Sequence, residues 1–387
     1  MNNYIDRKIV NQIKEWLFYG KIVILYGPRQ VGKTTLAKHI LKEISGDEKG
    51  FISCDRGNVG EVFASKDPEK IKAFLGEGSM FVLDEAQTIP DIGLILKVFY
   101  DAYPKIKIIA TGSSSFELAN RVTEPLTGRA KEITLLSFSW NETKNILQTN
   151  RNKNLAFEKF LRFGGYPDVL LAENDSKAIG ILETIANSYL YKDIFMHENI
   201  RKPELITKIL KLLARQMGNE VSYNEIAKEL LTNRATIVRY IELLEKTFVI
   251  FRLPGLERNR RNEVGSRKTK IYFYDIGIRN AIIQSYGTLE NRLDVGALWE
   301  NFCILERMKE VSFYGQNKLN YFWRTDDGNE IDHIEEYADH FTYFEYKWGI
   351  NKKENKNSIK IFSESYKNST GMLVNKENFE EFLKFNL

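Results

Sequence analysis

The most constraining feature of this sequence is the motif G-x-x-x-x-G-K-T at residues 27–34, which follows an apolar run at residues 21–25. A strand, a glycine-rich turn and a helix in this order direct backbone N–H groups towards an anion. The first turn of the helix adds the positive end of the helix dipole. The motif therefore predicts a phosphate-binding loop in an α/β fold, with the helix beginning at Lys33.

The residues of this loop have distinct expected roles. Lys33 should reach the β- and γ-phosphates of a nucleotide, and the Thr34 hydroxyl should bind Mg²⁺. A glycine-rich turn that binds no ligand is the alternative interpretation. The predicted nucleotide-binding residues of the loop are Gly27, Pro28, Arg29, Gln30, Val31, Gly32, Lys33, Thr34 and Thr35.

A second apolar segment, residues 79–83, ends in two adjacent carboxylates, Asp84 and Glu85. A charge at the tip of a buried parallel strand is costly unless a cation or a ligand lies beside it. We expect Asp84 to hold Mg²⁺ through water. We expect Glu85 to orient and deprotonate the water that attacks the γ-phosphate. A solvated acid pair without a ligand is the alternative.

A third apolar segment, residues 107–111, leads into Gly112 and three serines. Ser113 and Ser114 are candidate sensors of the γ-phosphate. They are equally suited to capping a helix, and the two roles are compatible. The alternation of apolar strands and helices predicts a parallel, three-layer α/β domain over residues 1–138.

Together these motifs resemble those of the AAA+ ATPases. The whole chain resembles a bacterial and archaeal family of AAA-type ATPases that carry a C-terminal domain of unknown function. The resemblance implies an ATPase that uses ATP and Mg²⁺, with Lys33 and Glu85 as catalytic residues. The segments that carry it are residues 27–35, 83–87, 111–114, 126–129 and 163–167.

Two arginines follow the third strand, Arg121 and Arg129. In this superfamily an arginine often contacts the γ-phosphate bound by a neighbouring subunit. Arg129 is our first choice for this catalytic role because it lies in the matched T-G-R segment. The role would require a homo-oligomer. A surface ion pair accounts for Arg129 equally well.

The rest of the chain divides into three predicted parts: a helical lid at residues 139–202, a winged helix-turn-helix at 203–256 and an α/β domain at 257–387. The second helix of a winged helix would face a DNA groove. A winged helix used only for packing against protein is the alternative. The residues expected to face the groove are Asn233, Arg234, Thr236 and Arg239.

Positive charge is concentrated in residues 257–270, which include six basic and two acidic residues. This local excess equals the formal net charge of +4 of the entire chain. Such a patch attracts phosphate backbones, although a solvated connector shows the same pattern. We predict DNA as a partner, bound through residues 233–239 and 257–270.

The C-terminal part contains Asp332, Glu345 and Lys347 in the D…E-x-K order, which resembles restriction-endonuclease-like folds. Alternate residues of a strand share a face, so Glu345 and Lys347 should point the same way. Asp332 and Glu345 would hold a divalent metal while Lys347 steadies the attacking water. Glu300, on a preceding helix, is a candidate fourth group of this nuclease site. A surface ion network on an inactive fold is the alternative.

Composition narrows the class of protein further. A chain of 387 residues is too long for one core, and 43% hydrophobic with 28% charged residues is ordinary for a globular protein. The sequence contains neither an apolar run of about 20 residues nor an apolar signal core, so we expect a cytoplasmic protein without membrane contact. Cys54 and Cys303 are far apart in sequence, and the four histidines lack metal-ligand spacing. We therefore expect no structural zinc and no disulfide framework.

These observations favour a Mg²⁺-dependent ATPase of AAA type. Its nucleotide state would control how its C-terminal domains contact their partner, which we expect to be DNA. Two other functions stay open. One is an ATP-gated, metal-dependent DNA nuclease. The other is an ATP-dependent protein-interaction switch that does not bind DNA, which would lack salt-dependent DNA affinity.

Overall fold

The computed structural model describes residues 4–112, 126–148, 153–188, 203–256, 268–349 and 356–387. The chain forms two compact units. The N-terminal unit comprises Met1–Phe138 and Lys246–Phe248, and the C-terminal unit comprises Ser139–Glu245 and Val249–Leu387. Each unit has its own sheet structure.

A five-stranded parallel sheet forms the centre of the N-terminal unit, with the strand order β2-β3-β4-β1-β5. The expected parallel α/β fold is therefore confirmed for this unit. Strand β4 lies between β1 and β3, so the loop after β1 and the end of β3 flank the end of β4. The strands are β1 (Ile22–Tyr26), β2 (Phe51–Ser53), β3 (Met80–Asp84), β4 (Lys107–Thr111) and β5 (Ala130–Thr134).

Helices cover both faces of this sheet, which is why β1 and β3 are buried along their whole length. On one face, apolar side chains of three helices pack against alternate residues of β1 and β4. On the other face, the helix before β1 and the helix after it contact β1, β3 and β4. The helices of the first face are Val59–Ala64, Pro68–Leu75 and Ile92–Ala102, and those of the second are Val10–Phe18 and Lys33–Ser45.

The C-terminal unit begins with a run of helices. A two-stranded antiparallel pair of β6 (Ile250–Pro254) and β7 (Thr269–Phe273) follows them. Helices Tyr223–Glu229 and Arg234–Lys246 precede β6, which is the element order of a winged helix-turn-helix, and that assignment stays a prediction. The earlier helices are Trp140–Gln148, Lys153–Phe163, Pro167–Leu170, Asp175–Ser188 and Pro203–Arg215.

The remaining part of this unit is built on a mixed four-stranded sheet of order β11-β10-β9-β8. Only β10 and β11 are parallel among these neighbours. The strands are β8 (Leu319–Arg324), β9 (Glu330–Tyr337), β10 (His340–Tyr346) and β11 (Ser369–Val374). The helices are Ile276–Ile282, Val295–Phe313, Lys356–Ser365 and Phe379–Phe382.

The glycine pair at residues 164–165 is explained by a close approach within the C-terminal unit. Gly164 has a φ of +77°, and a Cβ atom there would lie 2.1 Å from Oδ1 of Asp275. The N–H of Gly165 donates to Oδ2 of Asp275 at 2.9 Å. A side chain at Gly277 would likewise meet the carbonyl oxygen of Phe163, at 2.0 Å. Small residues are therefore required where these two backbones meet.

Among the described residues, no helix is both long enough and apolar enough to cross a bilayer. Both cysteines, Cys54 and Cys303, are buried and unpaired as thiols. They pack as small apolar residues.

Candidate nucleotide site

The loop after β1 is shaped by two glycines with positive φ angles. Gly27 has a φ of +146°, and a Cβ atom there would lie 2.0 Å from the carbonyl oxygen of Leu135. Gly32 has a φ of +93° and immediately precedes helix Lys33–Ser45. Residues with a Cβ atom rarely adopt these backbone angles. The motif spacing thus has a direct structural reason in this loop.

The first turn of helix Lys33–Ser45 points its N–H groups into the loop, and no side chain caps them at Gly32. The first N–H groups of a helix have no acceptor within the helix, and the helix dipole favours an anion at this end. The Lys33 amine donates to the carbonyl oxygens of Gly27 and Pro28 at 2.8 Å and 2.6 Å. Lys33 is buried, so its charge lies within the concave side of the loop.

The tip of β3 meets the start of this helix. The Thr34 hydroxyl lies 2.9 Å from Oδ1 and 3.0 Å from Oδ2 of Asp84. The Thr111 hydroxyl, at the end of β4, donates to Oδ1 of Asp84 at 2.7 Å. Asp84 is buried, so its carboxylate depends on these hydroxyl groups in place of water.

Glu85 occupies a left-handed backbone conformation, with a φ of +54°. Such a conformation is uncommon for a non-glycine residue and costs free energy. The N–H of Glu85 donates to the Thr111 hydroxyl at 3.2 Å, and the Gln87 side-chain amide donates to the Glu85 carboxylate. These contacts hold Glu85 directly after the buried Asp84.

The local excess of carboxylates also affects a nearby thiol. Burial is the main reason that the pKa of Cys54 rises to about 12, and the charges of Asp84, Asp55 and Glu85 raise it further. Cys54 is therefore a neutral thiol and not a nucleophile at neutral pH.

The residues present fit a Mg²⁺–triphosphate. Mg²⁺ is usually held by one or two protein oxygens together with phosphate oxygens and water. Thr34 and Asp84 supply such oxygens, and the uncapped N–H groups face the same loop. No group of three or more His, Cys, Asp or Glu side chains that could hold a metal occurs in the part of the chain that the structure describes. A Mg²⁺ ion here would also be bound by the phosphate oxygens of its nucleotide.

Arg129 lies at the opposite edge of the sheet, immediately before β5, whose first residue pairs with the first residue of β1. Its Nε atom is 2.7 Å from Oδ1 of Asp101, and a second nitrogen is 3.1 Å from Oδ2. Arg129 therefore does not face the loop of its own chain, and its action across a subunit boundary stays a prediction. Ser113, Ser114 and Arg121 lie outside the described residues.

Sequence reasoning missed the contribution of Thr111. This residue is the last of β4. Its hydroxyl donates to Asp84, the last residue of β3, and accepts from the N–H of Glu85, which follows β3. The sequence showed only that Thr111 ends an apolar segment. Its contact with Asp84 follows from the strand order, in which β4 lies between β1 and β3.

The predicted C-terminal residues also come together. The Lys347 amine, directly after β10, lies 3.5 Å from Oδ2 of Asp332 and 3.5 Å from Oε2 of Glu345. The N–H of Tyr346 donates to Oδ2 of Asp332 at 2.8 Å. The two carboxylates thus share one ammonium group.

Glu300 faces a different cation in the same unit. The Lys270 amine lies 3.2 Å from Oε1 of Glu300 and 2.6 Å from Oε1 of Glu330, and the Tyr272 hydroxyl donates to Glu300. Burial raises the pKa of Glu300 to about 6, although the charge of Lys270 opposes this increase. The Glu300 carboxylate is therefore compensated by protein groups.

The expected basic patch needs a correction at this point. Lys270 was expected on a charged surface segment, but it is only 3% exposed and belongs to β7. Its neighbour Lys268 is exposed and pairs with Glu220 at 2.9 Å. The prediction was wrong for Lys270 because its amine pairs with Glu300 and Glu330, which are distant in sequence. Residues 257–267 lie outside the described residues.

Two of the residues expected to face DNA have a structural role. Oδ1 of Asn233 accepts hydrogen bonds from the N–H of Thr236 at 2.8 Å and from its hydroxyl at 3.0 Å. This is the pattern of a helix N-cap, so Asn233 and Thr236 stabilise the start of helix Arg234–Lys246. Arg234 lines a cavity of about 650 Å³ together with Tyr223, Arg252 and Lys268. Arg252 forms a two-point ion pair with Glu245.

Comparison with known proteins agrees with the geometry of the loop. Residues 19–144 match the family model described as an AAA domain. Because of this match, we call residues 19–144 the AAA domain. C-terminal to the AAA domain, residues 154–288 and 295–385 match two domains of unknown function, DUF8612 and DUF4143. The second of these contains all four residues of the expected nuclease site.

Related proteins extend this similarity along most of the chain. The uncharacterized protein Rv2008c of Mycobacterium tuberculosis is 26% identical over 84% of this chain and 70% of its own length. The uncharacterized protein MJ1544 of Methanocaldococcus jannaschii is 23% identical over 93% of this chain and 82% of its own. Among solved structures, the Walker-type ATPase paby2304 of Pyrococcus abyssi matches 73% of this chain and 96% of its own, with 18% identity and a TM-score of 0.51. That match supports the α/β fold of the AAA domain.

Proposed function

We propose that the AAA domain binds ATP with Mg²⁺ and hydrolyses it to ADP and phosphate. The observation that carries this proposal is the contact of the Thr34 hydroxyl with both carboxylate oxygens of Asp84. A hydroxyl and a carboxylate from separate elements meet beside an uncapped helix N-terminus, where a phosphate and its metal are both stabilised. A bound Mg²⁺ would neutralise charge on the phosphate oxygens during transfer.

The loop and the residues at the end of β3 have distinct proposed roles. The backbone N–H groups of residue 27 and of residues 29–35 bind the phosphates; Pro28 has no N–H to donate. The Lys33 amine exchanges its carbonyl contacts for the β- and γ-phosphates, and Thr34 and Asp84 orient the metal. Glu85 accepts a proton from the attacking water, and Gln87 holds its carboxylate in position. Arg129 of a second copy is proposed to act on the γ-phosphate.

Phosphate release by wild type, Lys33→Ala, Thr34→Ala and Asp332→Ala tests this proposal. We expect Lys33→Ala and Thr34→Ala to lose turnover by about a hundredfold or more, because Lys33 would contact the phosphates and Thr34 would hold their metal ion. Thr34→Ser keeps the hydroxyl and should retain most activity. Asp332→Ala, in the other unit, should hydrolyse ATP like wild type. Equal turnover in all four proteins would contradict the proposal.

We further propose that nucleotide binding changes how the C-terminal unit contacts DNA. Two helices followed by an antiparallel strand pair support this idea, since that order is used by winged-helix DNA-binding proteins. The test is duplex DNA binding with and without a non-hydrolysable ATP analogue over a range of salt concentrations. A steep loss of affinity with salt supports DNA binding. Absence of salt-dependent binding would favour the protein-interaction switch.

A metal-dependent nuclease is the second candidate function. The observation in its favour is that Asp332, Glu345 and Lys347 converge, as the D…E-x-K order predicts. The Glu300 carboxylate is already paired with the Lys270 amine, which disfavours a metal site that includes Glu300. Supercoiled plasmid incubated with Mn²⁺ or Mg²⁺ should be nicked by wild type but not by Asp332→Ala if this function holds. An intact plasmid with both proteins would exclude it.

A further inference from the structure

The edge of the sheet opposite the P-loop carries exposed aromatic rings and lysines. Phe18 and Tyr19 end the first helix and are 66% and 74% exposed. The ring of Trp16 lies 5.9 Å from that of Tyr19. The lysines of this edge come from the starts of three neighbouring strands. We call the following six residues the aromatic–lysine edge: Trp16, Phe18, Tyr19, Lys21, Lys107 and Lys131.

Every ring of this edge has a lysine amine above it. The amine of Lys131 lies 4.9 Å from the Trp16 ring centroid, that of Lys107 lies 5.1 Å from Phe18, and that of Lys21 lies 5.9 Å from Tyr19. The strands that present these lysines are parallel neighbours in the sheet. Their starts therefore form one continuous surface.

The charge of these lysines is not neutralised by ion pairs. Within the part of the chain that the structure describes, none of the three forms an ion pair with a carboxylate. Glu132 follows Lys131 in β5, and the nearby Asp101 forms an ion pair with Arg129. The cations of the winged-helix region differ, because Arg252 and Lys268 pair with Glu245 and Glu220. The Lys21 amine donates to the carbonyl oxygen of Gly128, and the charge of Lys131 acts on Glu132. The aromatic–lysine edge thus offers positive charge that no carboxylate holds in an ion pair within the described residues.

From this geometry we propose that the aromatic–lysine edge binds single-stranded nucleic acid. Unpaired bases stack on exposed aromatic rings, and lysines contact the phosphates between them. A duplex offers the phosphates but keeps its bases stacked inside, so the rings would gain nothing from it. An acidic protein would engage the lysines but would not need three clustered rings.

Fluorescence anisotropy with a fluorescein-labelled oligothymidylate of about 20 nucleotides tests the proposal, since one binding surface covers fewer nucleotides than this. Wild type should bind it more tightly than a duplex of equal length. Three phosphate contacts predict that log affinity falls with log salt with a slope of roughly −2. Lys107→Ala/Lys131→Ala should reduce that slope to roughly −0.7, because one of the three contacts remains.

The ring variant Phe18→Ala/Tyr19→Ala should weaken binding by about tenfold or more while leaving the salt slope unchanged, because stacking involves no counterion release. Tyr19→Phe keeps the ring and should bind like wild type. Lys49→Ala/Tyr337→Ala is a matched control that removes an exposed lysine and an exposed ring elsewhere. Hydrolysis of ATP in the absence of nucleic acid should be the same in all these variants, because the edge is remote from the P-loop.

Three results would overturn the proposal. The first is that wild type does not bind the oligothymidylate, and the second is that both edge variants bind it as wild type does. The third concerns self-association of the protein, measured by sedimentation velocity without nucleic acid. If wild type is oligomeric and the edge variants are monomeric, the surface is covered by a second copy of the chain. An unchanged sedimentation coefficient together with lost oligothymidylate binding supports the proposal.

Discussion

The Thr34 hydroxyl lies 2.9 Å and 3.0 Å from the two carboxylate oxygens of Asp84, although 50 positions separate the residues in sequence. The contact exists because β1 and β3 are parallel and β4 alone lies between them. Carboxyl ends of parallel strands share one edge of a sheet, and ligands bind there in α/β proteins. Thr111, from β4, completes this group of side chains.

Thr111 is predicted to be a positioning residue for ATP hydrolysis. Thr111→Val removes a hydroxyl that donates to Asp84 and accepts from the Glu85 N–H, without changing the side-chain shape. A hydrogen bond to a charged group is worth about 2 kcal/mol, so kcat should fall by roughly tenfold or more. Thr111→Ser should restore activity. Phosphate release over a Mg²⁺ titration checks this, and a Thr111→Val enzyme with wild-type kcat and Mg²⁺ dependence would contradict it.

Substitution of Glu85 should separate nucleotide binding from hydrolysis. Glu85→Gln keeps the size of the side chain but cannot accept the proton of the attacking water. We expect ATP to bind as tightly as to wild type while turnover drops by about a hundredfold or more. Equilibrium binding of a fluorescent ATP analogue and single-turnover hydrolysis provide the two measurements. If Glu85→Gln turns over at the wild-type rate, Glu85 is not the base.

Gly27 is predicted to be indispensable for the shape of the loop. In Gly27→Ala the new methyl group would lie 2.0 Å from the Leu135 carbonyl oxygen, at a φ that alanine rarely adopts. The loop must shift, so nucleotide affinity should fall by at least tenfold and the melting temperature should decrease.

Gly60→Ala is the matched control for this substitution. A Cβ atom at Gly60 meets nothing within 4 Å, and the residue lies in helix Val59–Ala64. Alanine should therefore raise the stability slightly, by up to about 1 kcal/mol. Equal nucleotide affinity in both variants would mean that the contact at Leu135 does not shape the loop.

Asp294 should make the C-terminal unit sensitive to acid. Burial alone would raise the pKa of Asp294, but hydrogen bonds from Arg292 and Arg279 outweigh it and lower the pKa to about 2. The unfolded chain takes up this proton at a higher pH, near the ordinary value of 3.8. The carboxylate therefore stabilises the fold above pH 3.8, and this contribution is lost as the pH falls towards 2. Because the side chain is partly exposed, the contribution is about 1 kcal/mol.

Asp294→Asn tests this relationship. At neutral pH the variant should lose about 3 kcal/mol of unfolding free energy, because two nearly buried guanidinium groups lose their carboxylate. The difference from wild type should shrink as the pH approaches about 2, where the wild-type carboxyl is also protonated. Urea unfolding across this pH range measures the difference. A difference that stays constant with pH would show that Asp294 does not titrate with a lowered pKa.

Much of the AAA domain was predictable because its sequence signals are local. The glycines of the loop, the apolar strands and the acidic residues at the tip of β3 each report on their own backbone environment. Residues 107–111 were predicted as a strand with the observed bounds. The order of strands is not local, and so the role of Thr111 emerged only when β4 was placed between β1 and β3.

The C-terminal unit was harder to predict because its ionic contacts join distant segments. Lys270 reads as part of a basic stretch, yet its amine contacts Glu300 and Glu330. The sequence predicted that Asn233 faces DNA, yet its side-chain oxygen Oδ1 caps the helix that follows it. In both cases the sequence shows a polar or charged side chain, but only the fold shows which group that side chain contacts.

The central claim is that the carboxylate of Asp84 and the loop before Lys33 act on one Mg²⁺–ATP. Steady-state phosphate release by wild type and Asp84→Asn, measured across a titration of Mg²⁺, tests this claim most directly. We predict Mg²⁺-dependent hydrolysis by wild type and a loss of about a hundredfold or more in Asp84→Asn, with a higher Mg²⁺ requirement for the residual activity. Hydrolysis that is independent of Mg²⁺, or unchanged in Asp84→Asn, would contradict it.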